Sequence, residues 1–426
     1  MARTLTTKDG YQLMNLLVRQ ATGQAAQSVV DASTFVSVGE TVLATGKENT
    51  MNALSLVLGR TFAAVRPYNA KLALMNAINT GVYSHRLRKI SYYAQDALPS
   101  GYFNTDINTN FADGFTAGEN PDSNGVPQST KSQYEQHPAM PLEVNFAGST
   151  TWQDCITMYE DKLEQAFNSV ESFNTFIEGI LVEHGNDIES QKEAWNRMTL
   201  LSAIATRHAL AASNMVPSGV INLTSAFNTY FGTSYTSAQL CSTYLKEFLE
   251  FMVSTIKETS DRMTERGTAY HDPMTKTVGG VSYSILRHTP KDRQRLYLYN
   301  PLFRKAESIV MPEIFRPEYL NMEKQFERVE YWQSNDSDAN RSKVVFNSAY
   351  LDISDGTQKA TGTQTIDYVV GVLADEDAFM TDFQLERALT SPLEARKAYR
   401  NNWLTYAKNA IIDQTENMVV FIMADE

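Results

Sequence analysis

The chain has 426 residues, of which 42% are hydrophobic, 11% aromatic and 20% charged. That is enough for two or three packed domains and excludes a disordered chain. Lys and Arg number 37 against 49 Asp and Glu, a net charge of −12, which argues against electrostatic binding of nucleic acid or anionic lipid over the whole surface.

TKDGYQLMNLLVRQATGQ predicts a short helix with Leu13, Leu16 and Leu17 on one face. STFVSVGETVL alternates like a strand around Gly39, and ENTMNALSLVLGRTFA predicts a second helix capped by Asn49. The stretch to about Leu74 therefore reads as an arm of small elements. From Gly81 to Thr150, HRLRKISYYAQDALPSGYFNT and AMPLEVNFAG are extended limbs. Between them, NFADGFTAGENPDSNGVPQSTKSQ is a polar, glycine-rich tip. Loops this long inside a compact domain are usually functional or disordered.

The strongest periodicity follows. Ile156, Tyr159, Leu163, Phe167, Val170, Phe173, Ile177 and Ile180 step by three or four, predicting a helix from Trp152 to His184 of about 50 Å, stopped at Gly185. It would carry Asp154, Glu160, Asp161, Glu164, Glu171, Glu178 and Glu183 against Lys162 alone. ESQKEAWNRMTLLSAIATRHALAA predicts a second helix. Residues 213–390 read as mixed α/β: a helix from Ser237 to Met263, the strand RQRLYLYNP, short elements in ESIVMPEIF and QFERVEYWQS, and an apolar strand running into an acidic turn in TIDYVVGVLADEDAF. LEARKAYRNNWLTYAKNAI has helical spacing through Tyr399, Trp403, Tyr406 and Ala410, and MVVFIM is a buried strand.

Catalytic templates fail. Thr45 to Glu48, TGKE, lacks phosphate-loop spacing and puts Glu48 where a magnesium-binding hydroxyl belongs. The six histidines form no dense ligand pair, and Glu183, His184 and Asp187 read better as a polar helix end than as a metal site. No GxSxG elbow occurs, and Cys155 and Cys241 make neither a disulfide framework nor a CxxC site. The sequons at Asn222 and Asn335 read as chance matches. The expectation is no enzyme, no cofactor and no metal. MARTLTTKDGYQL has no signal-peptide pattern and no apolar run nears ~20 residues, so a soluble chain made in a reducing cytoplasm is expected. His85, Arg86, Arg88 and Lys89 form one basic cluster. Arg396, Lys397, Arg400 and Lys408 form another among Tyr399, Trp403 and Tyr406; this suits an amphipathic helix with a solvated charged face better than a single-strand nucleic-acid site.

An arm, a long two-limbed loop, a long amphipathic helix and a mixed α/β region, ending in LTSPLEARKAYRNNWLTYAKNAIIDQTENMVVFIM, resemble the major capsid proteins of tailed bacteriophages, the Hong Kong 97-type fold. The resemblance covers nearly the whole chain. It implies an α+β fold with an N-terminal arm at 1–80 and an extended loop at 81–150. A peripheral domain with its spine helix would span 151–212, an axial domain 213–390, and the return to the peripheral domain 391–426. It implies a structural protein of the virion, assembled in the host cytoplasm into pentamers, hexamers and a closed shell around double-stranded DNA held without sequence-specific contact. It further implies a separate scaffolding protein, since the arm leaves no room for a fused one, a portal, a possible decoration protein, and no membrane. Some members crosslink a loop lysine, but Lys131 is not assigned that role. A loop that cannot bury itself is expected to lie on a neighbouring subunit, with Phe103, Phe111 and Phe115 as anchors and Arg86, Arg88 and Lys89 steering its root onto an acidic partner surface. The alternatives are an encapsulin-like cargo shell, against which the long loop argues, and a cytoplasmic enzyme with an unrecognised site.

Overall fold

The computed structural model describes residues 7–22, 29, 31–44, 72, 75–77, 86–94, 139–147, 150–278, 281–309, 326–352, 356–394 and 396–425. Helix α1 (Thr7–Thr22) buries Met14, Leu17 and Val18, while Leu16 is 45% exposed. The buried face thus follows the i, i+3, i+4 seam through Met14 rather than the predicted Leu16. Helix α2 (Ala32–Ala44) replaces the predicted strand. Phe35, Val38 and Val42 recur at helical spacing, and the Asp31 carboxylate accepts the Thr34 amide at 2.9 Å, satisfying an otherwise orphaned first-turn donor. Gly39 belongs to the contact: a Cβ there would stand 3.2 Å from Phe167. The predicted helix at 49–64 lies outside the described residues.

Strands β1 (Asn76–Ala77), β2 (Arg86–Tyr92) and β3 (Pro141–Ala147) follow, and β2 pairs antiparallel with β3 from Arg86↔Ala147 to Tyr92↔Pro141. The predicted helix from Trp152 is corrected. Thr150–Tyr159 is strand β4, rich in the β-branched and aromatic residues that fit a pleated surface. Glu160–Ala166 is a short helix, α3, and the chain breaks at 167–169. The Ser169 hydroxyl then accepts the Ser172 amide at 3.1 Å and opens α4, Val170–Ala212, a helix of 43 residues. Gly185 lies buried inside α4 and does not stop it. At ~1.5 Å per residue α4 spans about 65 Å.

That length lets α4 serve two cores. At its start Phe173 stacks on Phe167 and meets Phe35 edge-on, both with ring centroids 5.5 Å apart, in a cluster with Met14, Leu17, Val38 and Met158. At its end Leu200, Leu201 and Ile204 join the largest core. That core includes strand β5 (Val220–Asn222), helices α5 (Leu223–Phe231), α6 (Ser237–Leu240) and α7 (Leu245–Met263), and, past the β6 (Lys276–Val278) and β7 (Val281–Tyr283) hairpin, strand β8 (Gln294–Tyr299) and helix α8 (Asn300–Ile309). The predicted helix from Ser237 is split, with a capping box between Thr236 and Gln239 opening α6.

The remaining elements are β9 (Phe326–Val329), α9 (Asp338–Arg341), β10 (Val344–Leu351), β11 (Gln358–Ile366), β12 (Val369–Asp375), β13 (Phe379–Thr390), β14 (Tyr399–Ile412) and β15 (Met418–Ile422). One sheet runs β5-β15-β12-β8-β9 and another β1-β13-β14-β4, while β10 and β11 form a hairpin. Every residue of β12 and β15 is buried, as their unbroken apolar runs require. The predicted helix through Tyr399 and Tyr406 is corrected to strand β14, which lies between β13 and β4. Its residues 404–409 are all buried, so no period-2 polar alternation marks it.

Candidate assembly surfaces

The β2–β3 hairpin has two faces because side chains alternate along a strand. Leu87, Lys89 and Ser91 face inward with Leu142, Val144 and Phe146 opposite or beside them; Ser91 and Val144 are buried. Arg88, Ile90, Tyr92, Pro141, Glu143 and Asn145 are exposed, Ile90 at 47% and Tyr92 at 61%. The Arg88 guanidinium donates to Glu143 at 2.7 Å with both groups in solvent.

Lys89 has another environment. Its ammonium donates to Asp413, to the Thr415 hydroxyl at 3.1 Å and to Glu416, all in the turn between β14 and β15. Asp413 also accepts the Thr415 amide at 2.9 Å, fixing that turn. Arg287 donates to the Thr415 carbonyl at 3.2 Å and to Ser91 at 2.5 Å. Buried Arg207 donates to the Glu416 carbonyl at 3.0 Å and to the Tyr270 carbonyl at 3.2 Å. Gly219 makes room for it, since a Cβ there would stand 2.7 Å from Arg207 Cδ. Burial raises the Glu416 carboxyl pKa, with Lys89 and Arg287 opposing. Burial lowers the Arg207 pKa to about 10 against the pull of Asp272 and Asp413. The hairpin root is therefore held to its own chain by buried, charge-assisted bonds.

The four-stranded sheet is also two-faced. On the α4 side, Trp195 Nε1 donates to the Asn409 carbonyl at 3.1 Å. The Lys408 ammonium donates to Gln191 at 3.2 Å and lies 4.7 Å from the Trp152 ring centroid and 5.2 Å from that of Tyr406. Burial lowers its pKa. On the other side, the described side chains of Cys155, Thr157, Tyr159, Leu389, Tyr399, Asn401 and Trp403 are all uncharged. Tyr159 and Leu389 are 52% exposed and Trp403 38%, and the Tyr159 and Tyr399 ring centroids lie 6.0 Å apart. Aromatic residues with few charges are the composition of a protein interface core.

Of the basic cluster expected at the loop root, Lys89 is engaged inside the chain, Arg88 is on the outer face, and Arg86 begins β2 with its side chain outside the described residues. Phe103, Phe111 and Phe115 lie outside them too, as do the side chains of Glu183 and His184; Asp187 is exposed on α4. The second basic cluster is corrected in part: Arg400 and Lys408 are buried on a strand rather than solvated on a helix. Asp413 and Glu416 were missed. The DQTEN turn is a legible polar turn signal once the segments flanking it are read as strands. Among the described residues no group of His, Cys, Asp and Glu could hold a metal, and no helix is long and apolar enough to cross a membrane.

The family profile described as Phi29-like phage major capsid protein matches residues 149–422, more than half of the chain. The chain belongs to this family. It is a structural protein of a tailed-phage virion, one subunit of a shell assembled from many copies. No curated protein matches the sequence. Among solved structures, a chain of the Staphylococcus phage Andhra capsid shares the fold at 10% identity with a TM-score of 0.51, over 85% of this chain and 86% of that one. Similar too are a chain from the head fiber and inner core protein structure of native bacteriophage P68 (10% identity, TM-score 0.49, 85% and 86% covered) and one from the bacteriophage PhiM1 mature capsid (9%, 0.41, 84% and 88%).

Proposed function

We propose that the chain is a Hong Kong 97-type capsid subunit, non-enzymatic, with an arm at 1–80, an extended loop at 81–150, a peripheral domain of 151–212 with β13 and β14, and an axial domain of 213–378 with β15, so that the expected boundary between 390 and 391 moves to the ends of these strands. The observation that carries this reading is the β2–β3 hairpin: two limbs 55 positions apart at Arg88 and Glu143, paired at their root and clamped to the β14–β15 turn. The 43-residue α4, linking two cores, supports it as the spine.

In this reading the outer face of the hairpin docks on a neighbouring copy. Arg86, Arg88, Phe103, Phe111 and Phe115 take part, and Lys89 acts from beneath by fixing the angle of the hairpin. The Trp403 face is the favoured receiving surface, because its described side chains offer aromatic area without a charge to desolvate. Assembly takes place in the host cytoplasm with a separate scaffolding protein and a portal. A decoration protein can bind outside, and the packaged double-stranded DNA meets an acidic chain without sequence-specific contact.

Co-expression with a scaffolding protein of the same phage, followed by electron microscopy, tests the reading. Closed shells from the wild-type chain and unassembled folded subunits from Tyr92→Glu are expected. Normal shells from Tyr92→Glu would remove the docking role of the outer face.

A further inference from the structure

His271 is fully buried, and both of its ring nitrogens face oxygen atoms: Nδ1 lies 3.0 Å from Asn417 Oδ1 and Nε2 lies 2.9 Å from the Ile285 carbonyl. A carbonyl only accepts, so Nε2 carries a proton. Beyond Asn417 the bonds continue. Asn417 Nδ2 donates to the Thr289 hydroxyl at 3.1 Å, and that hydroxyl donates to Asp375 Oδ2 at 2.8 Å. Asn417, Thr289 and Asp375 are all buried. Run in this direction, the bonds are complete only if Nδ1 also carries a proton, that is, with an imidazolium. A neutral imidazole needs the Asn417 amide turned, so that Nδ2 donates to Nδ1 and Oδ1 accepts the Thr289 proton; Asp375 then loses that hydrogen bond. An amide can make this turn without moving the backbone.

We propose that His271, Asn417, Thr289 and Asp375 form a buried hydrogen-bond relay that reverses direction when the imidazole gains a proton, making this core the acid-sensing element of the fold. The relay ties together four places: the segment before β6, the segment between β7 and β8, the end of β12, and the turn into β15, where the Asp375 amide also donates to the Asn417 carbonyl at 2.9 Å. The charged groups around it come from every packed element. Arg207 lies on α4, Arg287 follows β7, and Asp272 is the next residue. Asp413 and Glu416 occupy the β14–β15 turn with Lys89 of β2, and Asp375 closes the far end. Burial lowers the His271 pKa to about 4, with Arg207 and Arg287 adding to the shift and the bonds to Ile285 and Asn417 opposing it. Neutral imidazole with the turned amide is therefore the form near neutral pH, and acid drives the reversal.

The test is ring-nitrogen NMR of the full chain carrying isotope-labelled histidine, from about pH 7 to about pH 2.5, far enough to pass a midpoint below the His271 value of about 4. His271 is assigned through His271→Gln or, should that variant not fold, by substituting the other five histidines. The expected result is a neutral Nε2–H tautomer near pH 7 that becomes imidazolium on acidification. In Thr289→Val the imidazolium form no longer reaches Asp375, so the midpoint should fall by about half to one unit, the worth of one hydrogen bond. An Nδ1–H tautomer at neutral pH, or an unmoved or raised midpoint in Thr289→Val, would overturn the relay.

Discussion

The Lys89 ammonium donates to the Asp413 carboxylate, joining residues 324 positions apart. This contact ties a two-stranded hairpin, which is marginal alone, to the turn between β14 and β15. Removing Lys89 leaves the buried Asp413 carboxylate without its ammonium partner and Glu416 with Arg287 alone, 3.4 Å away. Lys89→Met should therefore lower stability by about 3 kcal/mol, the lower end of what loss of one partner in a buried pair costs. The penalty should shrink as pH falls. The Glu416 carboxyl already has a raised pKa, and losing Lys89 raises it further. A folded state that binds more protons than the unfolded one gains stability toward acid. Melting of both proteins at neutral and mildly acidic pH checks the size and the sign.

Arg88 is the contrasting neighbour. Its pair with Glu143 is exposed and contributes ~0–1 kcal/mol. Arg88→Glu should leave subunit melting nearly unchanged while slowing assembly, because it turns a neutral pair into two acids that docking must desolvate, whereas the wild-type assembly rate should not fall with salt, because the described side chains of the Trp403 face carry no charge to screen. Light scattering during assembly, set beside a melting curve, separates the two effects.

Phe173 anchors the first turn of α4 between Phe35 and Phe167 at 1% exposure. Phe173→Ala should cost about 3–5 kcal/mol. Leu16→Ala, on the solvent side of α1, should stay within about 0.5 kcal/mol. Denaturant titration of both variants checks the contrast between the buried anchor on α4 and the solvent side of α1.

Gly371 of β12 lies opposite Leu298 of its antiparallel neighbour β8. A Cβ there would fall 2.5 Å from Leu298 Cδ2 and 2.9 Å from the Tyr297 carbonyl oxygen. Gly371→Ala should destabilise by about 1–3 kcal/mol through overpacking, read as a lower denaturant midpoint at unchanged slope.

Strands with one clear pattern were legible in advance: the apolar runs of β8, β12 and β15, and the alternating limbs β2 and β3. The misread elements share a physical cause. Apolar residues in β4, α3 and the start of α4 happen to step by three or four, so one helical period ran across a strand, a turn and two helices. Only the β-branched run through Thr150, Thr151, Ile156 and Thr157 argued for the strand. In β14, burial of residues 404–409 erased alternation and left Tyr399, Trp403 and Tyr406 at helical spacing. Gly185 was read as a helix stop and Gly39 as part of a strand, yet both are buried within helices, Gly39 where Phe167 approaches. At the loop root, Arg88 and Lys89 looked equivalent. Their division between solvent and a buried turn depends on pairing with residues more than 300 positions away, which no local pattern encodes.

The central claim is that the outer face of the β2–β3 hairpin is an intersubunit contact while Lys89 stays within its own chain. An electron cryomicroscopy reconstruction of the assembled shell tests it most directly. The account predicts Arg88, Ile90 and Tyr92 buried against a neighbouring copy, with Lys89 still bonded to Asp413 and Glu416 of its own subunit. A shell in which Ile90 and Tyr92 remain exposed to solvent, or in which Lys89 reaches across to a neighbour, would contradict it.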